Sequence, residues 1–192
     1  MAKTYGTEPT ALKPTKLSKK VLADIGRLIR AFAEVEDIVS IYLAQLAGLT
    51  ESKSTIILGR MQLRSRIEMA GVLATQTGKQ ITEIHKAAFS EAFWDALFCR
   101  NTVTHGVLMG KSQDGQLAFL TNDYDKKAGG TITMRIAVSY TPEQIASYAR
   151  SIEEAIPNLE THLRAVSWRE KRLEQGLRPH RNAQPRRDKT SQ

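Results

Sequence analysis

LSKKVLADIGRLIRAFAEVEDIVSIYLAQL, residues 17–46, is the stretch that decides the fold. Its apolar positions, Leu17, Val21, Ile25, Leu28, Ile29, Phe32, Val35, Val39, Tyr42, Leu43 and Leu46, recur at the 3.6-residue period of one long helix. Gly48 stops it, because glycine tolerates the left-handed conformation that closes a helix. Thr50 or Ser52 can cap a second helix that runs over Ile56, Ile57, Met61, Ile67, Val72 and Leu73 until Thr77-Gly78. A third is expected from about Gln80 to the neighbourhood of Thr102, with Ile81, Ile84, Ala88, Phe89, Ala92, Phe93, Ala96 and Leu97 on a broad apolar face. Three helices joined by short turns pack most simply as antiparallel neighbours.

After His105-Gly106 the period changes. VLMGKSQDGQLAFL places Asp114-Gly115 between two short β-prone runs, which reads as a hairpin. Thr131–Val138 (TITMRIAV) alternates in the same way and completes a meander, with the polar stretch TNDYDKKAGG between them read as a loop. Thr141-Pro142-Glu143-Gln144 then combines an N-cap Thr, a Pro at the first helical position and a Gln at the third, which marks the start of a fourth helix. Ile145, Tyr148, Ile152, Ile156, Leu159 and Leu163 are its stripe, and Pro157 is expected to bend it. The pattern predicts a mainly α protein, an antiparallel four-helix bundle with a small antiparallel β-meander inserted between helices three and four. The organisation expected is a basic flexible arm at 1–16, a helical domain at 17–165 with the β insertion at about 107–138, and a basic, mostly disordered tail at 166–192.

The 192 residues carry a formal charge of +8, and the excess is unevenly placed. Residues 1–20 hold five Lys and one Glu, and residues 164–192 hold nine Lys or Arg and three acids, so the ends contribute +4 and +6 and residues 21–163 are left at −2. The final segment, GLRPHRNAQPRRDKTSQ, has almost no apolar residues to offset chain entropy. It has two readings: a solubilising extension, or a tail that holds polyanions such as RNA by counterion release without reading sequence. The longest stretch without a charge, Ile38 to Thr50, falls well short of the roughly 20 apolar residues of a membrane span, so no membrane association is expected. MAKTYGTEPTALKPTK lacks the apolar centre of a secretory signal and Cys99 is a lone cysteine, which together point to a reducing, cytoplasmic location.

Several chemistries have no residues to carry them. The sequence contains no Gly-rich phosphate loop, nucleophile elbow, paired-Cys motif or HExxH, and His85, His105, His162 and His180 are scattered, so neither a metal nor a cofactor is expected. Cys99 has two readings, a thiol activated by the neighbouring Arg100 or a packed core residue. The segment with chemical content is Cys99-Arg100-Asn101-Thr102-Val103-Thr104-His105-Gly106. An Arg is a permanent cation whose fork fits a phosphate, and a His titrates near neutrality. Together they supply charge stabilisation and proton transfer, the two needs of metal-independent RNA cleavage. Residues five apart on an ideal helix point about 140° apart, so the helix must end or distort before His105 if the pair is to converge. The bland alternative is that Arg100 and His105 satisfy the last carbonyls of helix three and its negative dipole end.

RNTVTHG at the end of the third helix of an α body resembles the HEPN superfamily (higher eukaryote and prokaryote nucleotide-binding), with Arg100, polar Asn101 and His105 on that family's Arg-polar-x-His pattern. The resemblance implies an up-and-down helical bundle, a homodimer whose two motifs face one another across a cleft, and in many members metal-independent endoribonuclease activity in toxin, antiviral or RNA-processing systems. On that reading Arg100 stabilises the phosphate, His105 is the general acid/base and Asn101 orients or polarises. The β insertion directly after His105 departs from the family's simplest pattern. Two functions follow: a dimeric RNA-cleaving enzyme, or a non-catalytic dimerising or regulatory module that binds RNA or works beside an antitoxin or nucleotidyltransferase partner. DNA binding through a helix-turn-helix fits less well, because the helices are too long and the turns poorly matched.

Overall fold

A computed structural model describes residues 12–127 and 130–163, with the backbone alone at 79–81 and 122–135. Most of the N-terminal arm and the tail from residue 164 lie outside the described residues. The described residues are mainly helical and form six helices and one three-stranded antiparallel sheet: α1 (Lys19–Leu46), α2 (Glu51–Leu58), α3 (Leu63–Thr77), α4 (Lys79–Ala88), α5 (Glu91–His105), β1 (Val107–Lys111), β2 (Leu117–Lys127), β3 (Gly130–Tyr140) and α6 (Pro142–His162). Among the described residues no helix is long and apolar enough to cross a membrane.

The first helix falls where its periodicity places it. Ser18 caps α1 by accepting from the Val21 amide at 3.3 Å, and Gly48, at φ +61°, closes it. Thirteen of its 28 residues are buried, and from Ile38 to Ala44 every residue except Ser40 is buried, so the helix is enclosed rather than laid on a surface. Four of the other five helices, α2, α3, α5 and α6, pack extensively against it.

The expected second and third helices are each two helices. Between α2 and α3 the chain breaks at Gly59–Gln62. Leu58 and Ile67 are both buried, and on one continuous helix nine residues would put them on opposite faces, so the break lets both reach the core. A consequence is that Ile56, Ile57 and Val72, expected in the apolar stripe, are exposed. Between α4 and α5 the break falls at Phe89-Ser90, where Ser90 takes the N-cap position and Glu91 stands in the first turn. That pair is a helix-start signal inside an otherwise unbroken apolar pattern.

The sheet is the expected meander, β1-β2-β3, and is longer than its sequence pattern suggests. The stretch read as a loop is mostly strand: β2 continues to Lys127 and pairs residue for residue with β3 down to Lys127↔Gly130. Thr121 and Tyr124 on β2, and Thr131 and Thr133 on β3, are β-favouring residues, and an antiparallel ladder once begun extends while each backbone group finds a partner. Among the described residues, Leu117, Phe119 and Tyr140 bury their side chains in the helical core. Thr141 opens α6 with the capping box read from the sequence, and Pro157 lies inside that helix.

At the other edge of the sheet Lys13 pairs with Lys111 through two backbone hydrogen bonds of 3.0 Å, so part of the expected N-terminal arm is laid along β1. Gly110 makes this possible. It is buried at φ +150°, beside a bulge in the β1–β2 register, and a Cβ there would stand 2.7 Å from the Lys13 carbonyl oxygen. Gly110→Ala is therefore expected to destabilise the fold by roughly 1–3 kcal/mol, read as a lower urea midpoint with unchanged slope. An unchanged midpoint would show that the strap contributes nothing.

Candidate functional site

Arg100 lies on α5 among buried neighbours, with Ala96, Leu97, Cys99 and Thr102 all inside the core. Its side chain is only 20% exposed, so it needs a compensating charge, and α1 supplies one. Arg100 Nη2 donates to Glu36 Oε1 at 3.2 Å and Nη1 donates to Asn101 Oδ1 at 3.0 Å. Arg100 Nε is buried without a partner among the described residues. Asn101 is exposed, and its amide oxygen is engaged by Arg100.

His105 is the last residue of α5 and is exposed. The helix neither ends nor distorts before it, since the Gly106 amide donates to the Thr102 carbonyl at 2.8 Å. The five-residue spacing therefore keeps its helical meaning, with Arg100 and His105 about 140° apart around the axis. Within one chain the fold does not bring the two together. Arg100 faces α1, while the imidazole of His105 meets no hydrogen-bonding partner among the described residues. Nor does Arg100 cap the helix end, because its guanidinium is directed to Glu36 and its own carbonyl accepts from Thr104 Oγ1 at 2.7 Å.

Glu36 is the residue that sequence reasoning missed. It stands four residues after buried Phe32 and three before buried Val39, a position at the edge of the α1 core face where an acid needs a cation. The next turn of α1 repeats the device. Ser40 Oγ donates to the Glu36 carbonyl at 2.5 Å and accepts from Arg66 Nη1 of α3 at 2.8 Å. Two arginines, from α5 and α3, are thus held on adjacent turns of the central helix. Beside Arg66 a cleft of about 180 Å³ opens between α1, α2 and α3, lined by Asp37, Ser40, Glu51 and Thr55 among others.

Of the remaining candidates, Cys99 lies in the core, His85 is partly buried and His162 is exposed. Cys99 is fully buried, and burial pushes its thiol up to about 12, so the activated reading fails: desolvation of the thiolate outweighs whatever the adjacent Arg100 contributes. Tyr140 is likewise pushed well above its ordinary value, first by burial and then by Cys99. His85 stacks on Tyr42 at 6.1 Å between ring centroids and tilts onto Phe89 at 4.8 Å, with Gly71 leaving room for its ring. Burial lowers its pKa from the ordinary 6.5. His162 bonds the Asn158 carbonyl at 2.7 Å through Nδ1. Among the described residues no three His, Cys, Asp or Glu side chains gather where a metal ion would sit.

Two measurements check these assignments. Glu36→Ala leaves Arg100 uncompensated and is expected to cost roughly 1–2 kcal/mol, and the double variant with Arg100→Ala should cost less than the sum of the two single changes. Strict additivity would mean that the pair contributes nothing. For His85 the folded state binds fewer protons than the unfolded state between its lowered value and the ordinary one. Its contribution is then present in full above pH 6.5 and is lost as pH falls through that window. His85→Gln should flatten this part of the pH–stability curve, and an unchanged curve would contradict the assignment. Comparison with protein-family models, curated proteins and solved structures finds no match for this chain.

Proposed function

We propose that the chain is a non-catalytic HEPN-like module that dimerises and holds RNA through its basic ends. In this reading α1, α3, α5 and α6 are the members of an antiparallel four-helix bundle, and the RNTVTH segment serves its stability. The observation that carries it is the ion pair between Arg100 and Glu36 on a helix that stays regular through His105. An arginine already neutralised by a carboxylate is a poor phosphate ligand, because the carboxylate must first be displaced or will repel the anion. Dimerisation is supported by exposed apolar residues on two neighbouring helices, Ile56 and Ile57 on α2 and Met69 and Val72 on α3. RNA as the ligand is supported by the +4 and +6 of the two ends beside a body at −2. An antitoxin or nucleotidyltransferase partner is the competing occupant of the apolar face. The lone Cys99, reduced and buried, suits a cytoplasmic location.

One observation favours a second reading, a metal-independent endoribonuclease. The exposed imidazole of His105 has no hydrogen-bonding partner among the described residues, as a general acid/base open to substrate would require. Because Arg100 and His105 diverge on one helix, such an enzyme has to pair Arg100 of one protomer with His105 of its partner, and Arg100 has to release Glu36.

One measurement separates the readings, and two more test the tail and the dimer. The module reading expects no RNA cleavage in EDTA above the level of an Arg100→Ala, His105→Ala double variant. Robust cleavage abolished by either single change would establish the enzyme instead. Deletion of residues 166–192 should weaken RNA binding roughly tenfold at low salt and flatten its salt dependence, and an unchanged salt slope would remove the tail from the mechanism. Ile56→Asp with Val72→Asp should shift sedimentation from dimer to monomer. A wild-type chain that sediments as a monomer at all concentrations would sink the dimer.

A further inference from the structure

A second cleft, of about 270 Å³, lies between α4, the start of α5 and the end of α6. Its walls are apolar, with Ile84, Phe93, Ile152 and Leu159, and its space exists because Ala88 and Ala155 are small where the helices meet. Phe93, Ile152 and Leu159 are buried residues, so the cleft is cut into the core. His162 closes one end. The chain leaves α6 at that same end, with Leu163 as the cap residue. We infer that the cleft is the docking site of the chain's own next segment, residues 164–172 (RAVSWREKR), and that Trp168 fills it.

Size, reach and charge select this occupant. After Leu163, Trp168 is the only aromatic residue in the sequence, and an aromatic side chain buries about 150–250 Å² when it packs. Trp168 lies five residues beyond Leu163, a reach of about 17 Å extended or about 8 Å helical. Ala155 lies about 12 Å back along α6 from Leu163, so an extended segment that turns back at the helix end brings the indole over the alanines, whereas a helical one falls short. From Ser151 to Leu163 the chain carries no Lys or Arg and, besides the Glu153 held by Arg27 and Arg30, has Glu154 and Glu160, whereas 164–172 carries Arg164, Arg169, Lys171 and Arg172 against one Glu. The C-terminal end of a helix also favours cations, which Arg164 supplies. A consequence concerns the polycation that follows. Docking fixes its base beside the start of α5, about 21 Å along that helix from His105. RNA held by the tail would then begin at the end of the molecule opposite the RNTVTH segment.

The test uses the full chain with Trp94→Phe, which leaves Trp168 as the only tryptophan. The docked indole should emit to the blue of the urea-unfolded chain and be quenched by acrylamide several-fold less efficiently, independently of protein concentration. Ala155→Phe fills the slot from one wall and Ala92→Phe, at an exposed lining position, fills it from another. In whichever of these keeps the wild-type circular dichroism, Trp168 should move to the unfolded emission and quenching values. A Trp168 as quenchable in the native chain as in urea would overturn the inference, as would shielding that survives a filled cleft. Shielding that is lost on dilution would assign the cleft to a second copy of the chain instead.

Discussion

The enclosure of α1 is the constraint on which the rest of the structure depends. A helix buried at every position but Ser40 from Ile38 to Ala44 needs neighbours at nearly every angle, and α2, α3, α5 and α6 supply most of them. The demand explains breaks that local propensity does not. Leu58 and Ile67 both have to reach α1, a continuous helix cannot point them the same way, and the chain yields at Gly59–Gln62. The residual cost of that arrangement is visible in the exposed Ile56, Ile57 and Val72, which served a continuous helical pattern and are left facing outward.

Enclosure also governs the polar groups. Several polar residues of α1 are tied to neighbouring helices: Arg27, which also pairs with Asp24 of its own helix, to Glu153 of α6, then Glu36 to Arg100 of α5, and Ser40 to Arg66 of α3. These contacts fix rotation and register between helices whose apolar faces alone would tolerate sliding. An Arg in a short sequence motif thereby acquires a structural duty. Arg100 reads as a phosphate ligand when its neighbours are Asn101 and His105, and as one half of an interhelical ion pair when Glu36 is added.

The two clefts follow from the same geometry. Where α2 leaves the line of α3, space opens beside Arg66, and where α4, α5 and α6 meet through alanines, space opens beside Phe93. The first mixes polar and apolar lining, and two of its polar residues, Ser40 and Arg66, bond to one another across α1 and α3. The second is apolar and stands at the point where the chain leaves its last helix.

The kind of elements and most of their starts were legible in the sequence: the cap at Thr141, the closing Gly48, and the switch to strands after His105. Those signals are local, since a cap or a period depends on residues within a turn or two. Local signals also carried the motif Arg100-Asn101-x-x-x-His105, and there they misled on convergence, because nothing near His105 revealed that α5 would stay helical through it. Only the tertiary structure decided that Arg100 faces Glu36, 64 residues away, that Cys99 is inert in the core, and that two apparent long helices are four shorter ones. Each of these depends on which surface lies opposite a side chain, and that is set when α1 is covered, not when any single helix forms.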